Sequence, residues 1–483
     1  MARVLLVYVN SYMDNLIPVG VSLLSSCLKK AKHQVKVFDT TFYETTSKTG
    51  DQARVDSLQI KSTNLEKYGI KSKSLTQMEN DFLNLVEIFK PDIVGFSIVE
   101  STDFIFRMLV TYLNKINFKG LKIAGGVYPT TSPETVIDLV DVICIGEGEK
   151  SLVELANKIS KNQSYDNIPN LWVKKNQKII KNSLRPLINL DELPFQDWKE
   201  YEEKRFYKPM GGKIWISGPI ELQRGCPHSC GFCINHKLKK MYGKGYVRQK
   251  NIDLFMNEVK EKINKYNISY LYLVAENFLS MKKDDFDEFI KQYKSIGLPF
   301  WIETRPETVT EYKLLSLKEV GCEGISIGVE HGNEDFRRKT LNRFVSNEKI
   351  INAFKIAKKS NIRVSANNII GFPTETRELI FDTIKLNRKL KADNVIVNIF
   401  CPYRGTLLFD VAVEKGYIDK DYISGDYRGI NAGLNMPQLS REEIIGLQRT
   451  FPLYVKFKKD KWDSIKKAEQ DNKVFNNLKR EFK

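Results

Sequence analysis

Three cysteines stand within one short stretch, Gln223-Arg224-Gly225-Cys226-Pro227-His228-Ser229-Cys230-Gly231-Phe232-Cys233. Thiolates are soft ligands, and a C-x3-C-x2-C spacing lets one loop wrap a cluster of four irons. Three protein ligands leave one iron open, which is the mark of a catalytic rather than a structural metal centre, and an amino-acid-like group could chelate it. The competing chemistry is a structural zinc site that recruits His228 or His236. Such sites usually close with four N or S ligands, and the second C-x-x-C pair that commonly supplies them is missing here.

Other polar groups recur where they could serve such a centre. From residue 214 a strand-then-helix period repeats six times, with strands near Ile220–Leu222, Tyr270–Val274, Phe300–Thr304, Gly324–Val329, Arg363–Ile370 and Val395–Phe400. A six-fold count implies an incomplete TIM-like barrel, whose active groups sit at the carboxyl ends of its strands. The cysteine loop follows the first strand. The other ends read Ala275-Glu276-Asn277, Glu303-Thr304-Arg305, Gly328-Val329-Glu330-His331-Gly332, Ile370-Gly371-Phe372-Pro373-Thr374-Glu375 and Cys401-Pro402-Tyr403-Arg404-Gly405-Thr406. Arg305 could meet a carboxylate bidentately, or pair with Glu303 or Glu307. Each loop alone could be an ordinary barrel turn, but polar groups at all six ends argue for a site.

Ahead of this region the chain alternates in the same way. Strand Val4–Val9, helix Pro18–Lys30 and strand Gln34–Phe38 open it, and a polar stretch, Thr45–Ser74, follows as a long loop or partly helical insertion. Helix Leu83–Phe89, strand Ile93–Ile98, helix Ile105–Ile116, strand Lys122–Ala124, helix Glu134–Leu139 and strand Asp141–Ile145 complete a parallel, doubly wound sheet. Ligands of such sheets bind beyond the carboxyl ends of the strands. There stand Ser97, Gly125-Gly126-Val127-Tyr128 and Gly146-Glu147-Gly148, with Pro18 and Gly20 opening the first helix. Glycines at strand ends are usually turns.

The cysteine run, with the aromatic Phe232 before its third cysteine, resembles the signature of the radical S-adenosylmethionine (SAM) enzymes. The glycine-bearing order of the first region resembles the cobalamin-binding domain that precedes many radical SAM domains. This resemblance covers roughly residues 1–410. It implies a 4Fe–4S cluster on Cys226, Cys230 and Cys233, SAM held by Phe232, Glu276, Glu330, Ile370 and Tyr403, and cobalamin lined by Gly20, Ser97, Gly125, Gly126, Tyr128, Gly146 and Gly148. It further implies transfer of a methyl group from methylcobalamin to a carbon radical, or ring formation or oxidation with the same cofactors. A non-catalytic cobalamin- or metal-binding regulator is the reading from another class. One departure is informative. Cobalamin domains that ligate cobalt through histidine carry D-x-H-x-x-G, and Asp14–Gly20 contains no histidine, so cobalamin is expected without a histidine lower ligand; His33 is expected to be structural.

The organisation expected is a cobalamin-binding-like Rossmann domain over 1–165, a proline-bearing linker over 166–213, a radical SAM partial barrel over 214–410 and a helical C-terminal cap over 411–483. In that last part Trp462, Ile465, Phe475 and Leu478 could form a weak membrane-surface face, although a cap over the barrel mouth is the favoured reading. With 483 residues the chain can bury two or three cores. No apolar run reaches the 18 or so residues of a membrane span and no signal peptide is evident, so a cytoplasmic protein is expected, in the reducing compartment a low-potential cluster needs. The net charge of +17 could suit an anionic small-molecule substrate or an acidic redox partner such as flavodoxin or ferredoxin. Nucleic acid is not the expected partner.

Overall fold

The computed structural model describes residues 1–14, 16–425 and 431–482. Residue 15 of the Asp14–Gly20 stretch, residues 426–430 of the C-terminal region and residue 483 lie outside them. The chain divides into two units, one of Met1–Gly50, Thr63–Ile220 and Tyr242–Leu254, the other of Asp51–Ser62, Glu221–Met241 and Phe255–Lys483.

In the first unit the strands Arg3–Tyr8, Gln34–Asp39, Ile93–Ser97, Leu121–Gly125 and Val142–Cys144 are parallel. The first lies between the second and third, with Val7 opposite both Phe38 and Phe96. Chain order therefore reverses beside Arg3–Tyr8, the switch point where open sheets of this kind bind ligands. Val4, Leu5, Leu6 and Val7 are all buried, as a parallel strand covered on both faces requires. The segment expected to start a linker instead lengthens this sheet. Leu171–Lys175 and Lys178–Lys181 add two antiparallel strands at its edge, beside Val142–Cys144.

The helix expected over Glu134–Leu139 is not formed. Val127–Thr131 is helical instead, followed by two 3-10 turns, Pro133–Thr135 and Ile137–Leu139. Pro133 explains the break, because it disfavours helical geometry at Ser132, which takes φ −144° and ψ 58°.

The second unit holds five parallel strands in chain order, Tyr270–Val274, Phe300–Thr304, Cys322–Glu330, Arg363–Ile370 and Asn394–Ile399. The strand entering the cysteine loop is longer than expected, Lys213–Glu221, and belongs to the first unit up to Ile220; within the second unit the Leu222 N–H donates to the Val274 carbonyl at 2.9 Å. Hydroxyl side chains start helices that follow these strands. Thr310, Ser346, Thr376 and Thr406 each accept a backbone N–H three residues on, which satisfies a donor the first helical turn leaves unpaired.

The polar insertion has a structural role its composition hides. Its residues 51–62 pack within the second unit. Asn394–Ile399 is an edge strand, and its outward N–H at Val397 donates to Gln59 Oε1 at 2.9 Å. The carbonyl of Val397 accepts from Gln448 Nε2 at 3.3 Å. Two glutamines thus occupy edge groups that would otherwise stay open for pairing. Gln448 lies on the helix Arg441–Lys456, which packs on Asn394–Ile399 and on the helix Arg377–Leu390. The membrane-face reading fails here. Ile465, Phe475 and Leu478 are buried in the same core as Val397 and Ile399, and Trp462 stacks edge-on to Phe381 and Tyr454, each 5.4 Å away. Among the described residues no helix is long and apolar enough to cross a membrane.

Candidate cluster and cofactor sites

The cysteine loop is held by its own unit on several sides. The Gly231 N–H donates to the Leu341 carbonyl at 2.9 Å, and the Gly231 carbonyl accepts from Leu408 N–H at 3.0 Å. A Cβ on Gly231 would lie 3.3 Å from the Thr340 carbonyl, so a larger residue would push this packing apart. Asn342 Nδ2 donates to the Ser229 carbonyl at 2.7 Å and Lys239 Nζ to that of Pro227 at 2.5 Å. These bonds, all from the chain itself, shape the loop.

A four-iron cluster would ask each of the three thiolates of this loop for a different iron. His236 spends Nδ1 on the Cys233 carbonyl at 2.7 Å. Burial pushes the Cys226 thiol up and that of Cys233 to about 11, so a bound metal is what would hold them as thiolates. Arg305 Nη1 donates to Cys230 Sγ at 3.2 Å. Its guanidinium also binds Glu307 Oε1, at 2.5 Å through Nη2, so of the partners proposed from sequence it takes Glu307.

Two carboxylates, from strand ends separated by the strand Phe300–Thr304, stand beside this loop. Asn235 Nδ2 bridges Cys233 Sγ at 3.5 Å and Glu276 Oε2 at 3.1 Å. Burial raises the Glu276 pKa, and the Asn235 bond works against that rise. Glu330 sits at φ +65°, a left-handed conformation rare for such a residue, where the pairing of its strand shifts register. Burial raises its pKa too, against the opposing charges of Arg343 and Arg305; Arg343 Nη1 is 3.9 Å from its Oε1. Asn235 and Arg343 were not foreseen. A residue that bonds a ligand's neighbour has no spacing signature in the chain.

The remaining residues expected at SAM are spread. Phe232 is half-buried, its ring 5.8 Å from that of Phe372. Ile370 is fully buried in the apolar core, while its neighbour Ile369 is half-buried. Tyr403 gives its carbonyl to the Thr406 hydroxyl at 2.7 Å, which braces the start of the helix Leu407–Glu414. The loop Gly371–Glu375 has an organiser. Glu375 accepts N–H groups from Gly371 at 2.5 Å and Phe372 at 3.0 Å, and its other oxygen lies 2.9 Å from His331 Nε2. His331 Nδ1 accepts from Asn333 N–H at 3.1 Å, so the proton is on Nε2 and is donated to Glu375.

In the first unit the expected residues do gather at strand ends. Gly126 has φ +105°, and a Cβ there would fall 2.6 Å from the Ile98 carbonyl, so this position must be glycine for the strand ends to approach. A Cβ on Gly20 would meet nothing within 4 Å, so the first turn of its helix faces open space. Ser97 is half-buried, and its carbonyl accepts from Val9 N–H at 3.2 Å. Gly125 and Gly148 both lie against Cys144, and Gly146, at φ +75°, donates its N–H to Thr130 Oγ1 at 2.9 Å. Tyr128 is buried, its hydroxyl acting on Arg107, which is bonded to Asp103 at 2.6 Å. Small residues at these ends fit a large flat cofactor that must approach the backbone.

Two arginines missed in the sequence brace these loops. Arg248 grips Glu147 with Nη2–Oε1 at 2.6 Å and Nη1–Oε2 at 3.1 Å. Arg205 joins Asp39 at 2.7 Å and donates to the Asp14 and Leu16 carbonyls at 3.2 and 2.8 Å, which fixes the loop where a D-x-H-x-x-G motif would lie. His33 is away from these ends. Its Nδ1 accepts from Ala2 N–H at 3.1 Å and Nε2 meets Asn157 at 3.1 Å, at the amino side of the sheet.

Comparison with known proteins matches both regions of the chain. Residues 220–386 match the Radical SAM superfamily and residues 5–156 the B12 binding domain. An uncharacterized methyltransferase of Pyrococcus horikoshii is 28% identical over 70% of this chain and 73% of its own length. The anaerobic magnesium-protoporphyrin IX monomethyl ester cyclase of Cereibacter sphaeroides is 22% identical over 66% of this chain, which spans about half of that relative, 53%. Among solved structures, the radical SAM methyltransferase TsrM of Kitasatospora setae, with cobalamin and an iron–sulfur cluster bound, superposes with a TM-score of 0.63 at 17% identity, over 86% of this chain and 78% of that one.

Proposed function

Starting from a chain that belongs to the radical SAM enzymes with a B12-binding domain, and whose cofactors are therefore a 4Fe–4S cluster, SAM and cobalamin, we propose that it methylates an unactivated carbon of a small molecule. The observation that supports this best is Asn235, which ties Glu276 to Cys233 while Arg305 binds Cys230. The Glu276 carboxylate at an open-site thiol loop matches the ammonium of an amino-acid-like ligand. When bound, the cluster and SAM supply a 5'-deoxyadenosyl radical and cobalamin supplies a methyl group.

The chain's own part is to hold and to shield. Cys226, Cys230 and Cys233 carry the cluster, and Glu276, Glu330, Phe232, Ile370 and Tyr403 are assigned to SAM. Gly20, Ser97, Gly125, Gly126, Tyr128, Gly146 and Gly148 are assigned to cobalamin, without a histidine ligand to its metal. The His331–Glu375 pair keeps the Gly371–Glu375 loop in place, and the apolar core beneath it keeps water from a reactive radical. A reducing partner must supply electrons. Likeness to the cyclase favours a second reading, ring formation or oxidation without methyl transfer.

Product counting decides between them. Reconstituted protein turning over a candidate substrate should release 5'-deoxyadenosine and S-adenosylhomocysteine in near-equal amounts per methylated product, one SAM for the radical and one for the methyl group. Turnover that yields deoxyadenosine without adenosylhomocysteine would reject methylation and leave the second reading.

A further inference from the structure

One short segment of the second unit runs from the cysteine loop to open solvent. The Leu341 carbonyl and the Asn342 side chain both bind that loop, at 2.9 and 2.7 Å. Arg343 is buried, with Nη1 4.0 Å from Cys230 Sγ. Phe344, the next residue, is 70% exposed. The path from an open aromatic ring to a cluster ligand is therefore one residue and one contact.

The charge around this path is basic. Arg338 and Lys339 are exposed at the end of the helix Glu334–Lys339, just before the segment. Lys239 reaches the Pro227 carbonyl, Lys240 beside it is exposed, and Pro227, next to Cys226, is exposed as well. The acidic groups on the helix are Asp335, exposed, and Glu334, whose Oε1 already accepts from Asn347 N–H at 2.6 Å. An exposed aromatic within a basic rim suits a small, transient interface with a partner of opposite charge.

We propose that Phe344, Arg338, Lys339, Lys239 and Lys240 form the docking surface of a small acidic electron-carrier protein, and that the electron enters through the Arg343–Cys230 contact. This rests on the reading of the three cysteines as ligands of a redox cluster. The carrier's reduced flavin or iron–sulfur group loses one electron and the cluster gains it. No bond is made or broken and no proton is required. Attraction between the basic patch and the carrier speeds encounter and weakens with added salt, as steering by exposed charges does.

The test compares two reductants on the reconstituted full-length protein. Reduced flavodoxin, an acidic carrier, and dithionite are each mixed with wild type, Phe344→Ser and the Arg338→Glu/Lys339→Glu double variant, and the cluster absorbance is followed. The variants should be reduced by the carrier about tenfold more slowly at low salt, the wild-type carrier rate should fall as salt is added, and the dithionite rates should not separate the three proteins. Equal carrier rates would overturn the proposal. Should a variant lose its iron, hydrogen exchange of wild type with oxidised flavodoxin answers instead: protection over residues 338–344 is expected, and its absence overturns the docking site. Wild type with no dithionite-reducible chromophore would overturn the cluster reading, and this inference with it.

Discussion

The carboxyl ends of the two parallel sheets are built from different chemistry. In the first unit they offer glycines and backbone, and the charged groups there, Glu147 with Arg248 and Asp39 with Arg205, are consumed in bracing loops. In the second unit they offer charged side chains that stand against the cysteine loop: Glu276 through Asn235, Arg305 on Cys230, and Glu330 opposite Arg343. The difference teaches what each end can recognise. Glycine ends admit a large body by shape, and a ring of charges discriminates the polar termini of a small one.

The largest effects should come from exchanging the two kinds of damage. Cys230→Ala should abolish the iron–sulfur absorption while cobalamin binding survives. Gly126→Ala, whose Cβ would collide with the Ile98 carbonyl at φ +105°, should cost about 2–4 kcal/mol of stability and at least about tenfold in cobalamin affinity, with the cluster intact. Absorption titrations of both variants with cobalamin and with iron and sulfide would show whether the sites separate this way; loss of both cofactors in either variant would break the comparison.

A smaller effect should appear with pH in the first unit. Burial would raise the Asp197 pKa, but hydrogen bonds from Lys29 at 2.6 Å and Ser25 at 2.7 Å outweigh it and hold this carboxyl below its ordinary value. A depressed folded value means the stabilisation is complete above the unfolded aspartate pKa, about 3.9, and is lost as pH falls through the folded one. Denaturant melts of wild type should therefore weaken toward pH 3 more than those of Asp197→Asn. Parallel acid profiles for the two proteins would count against the assignment.

The smallest effect belongs to the insertion. Gln59→Ala removes the acceptor of the Val397 edge N–H and should cost about 1 kcal/mol, read from the melting of the second unit. An unchanged melt would mean that water replaces Gln59 without cost.

Much of this was legible because it depends on local order. The strands Tyr270–Val274, Phe300–Thr304 and Arg363–Ile370 fall on the bounds their periodicity predicts. The cysteine spacing is a property of one loop, so it needs no fold to be read. The helix over Glu134–Leu139 was misplaced because apolar spacing outweighed the break that Pro133 imposes. The apolar stripe of Trp462, Ile465, Phe475 and Leu478 showed a face that must be covered without showing by what.

From the sequence alone came the thiol loop, the alternation of strand and helix, the carboxylates at strand ends and the lack of histidine between Asp14 and Gly20. Only the tertiary structure decided that Gln59 shields an edge strand from 338 positions away, that Asn235 joins Glu276 to Cys233, and that Arg343 carries a path from Phe344 to Cys230. Periodicity and spacing are written along the chain, where near neighbours constrain one another. A hydrogen bond between distant residues is set by how whole layers pack, and no local pattern records it.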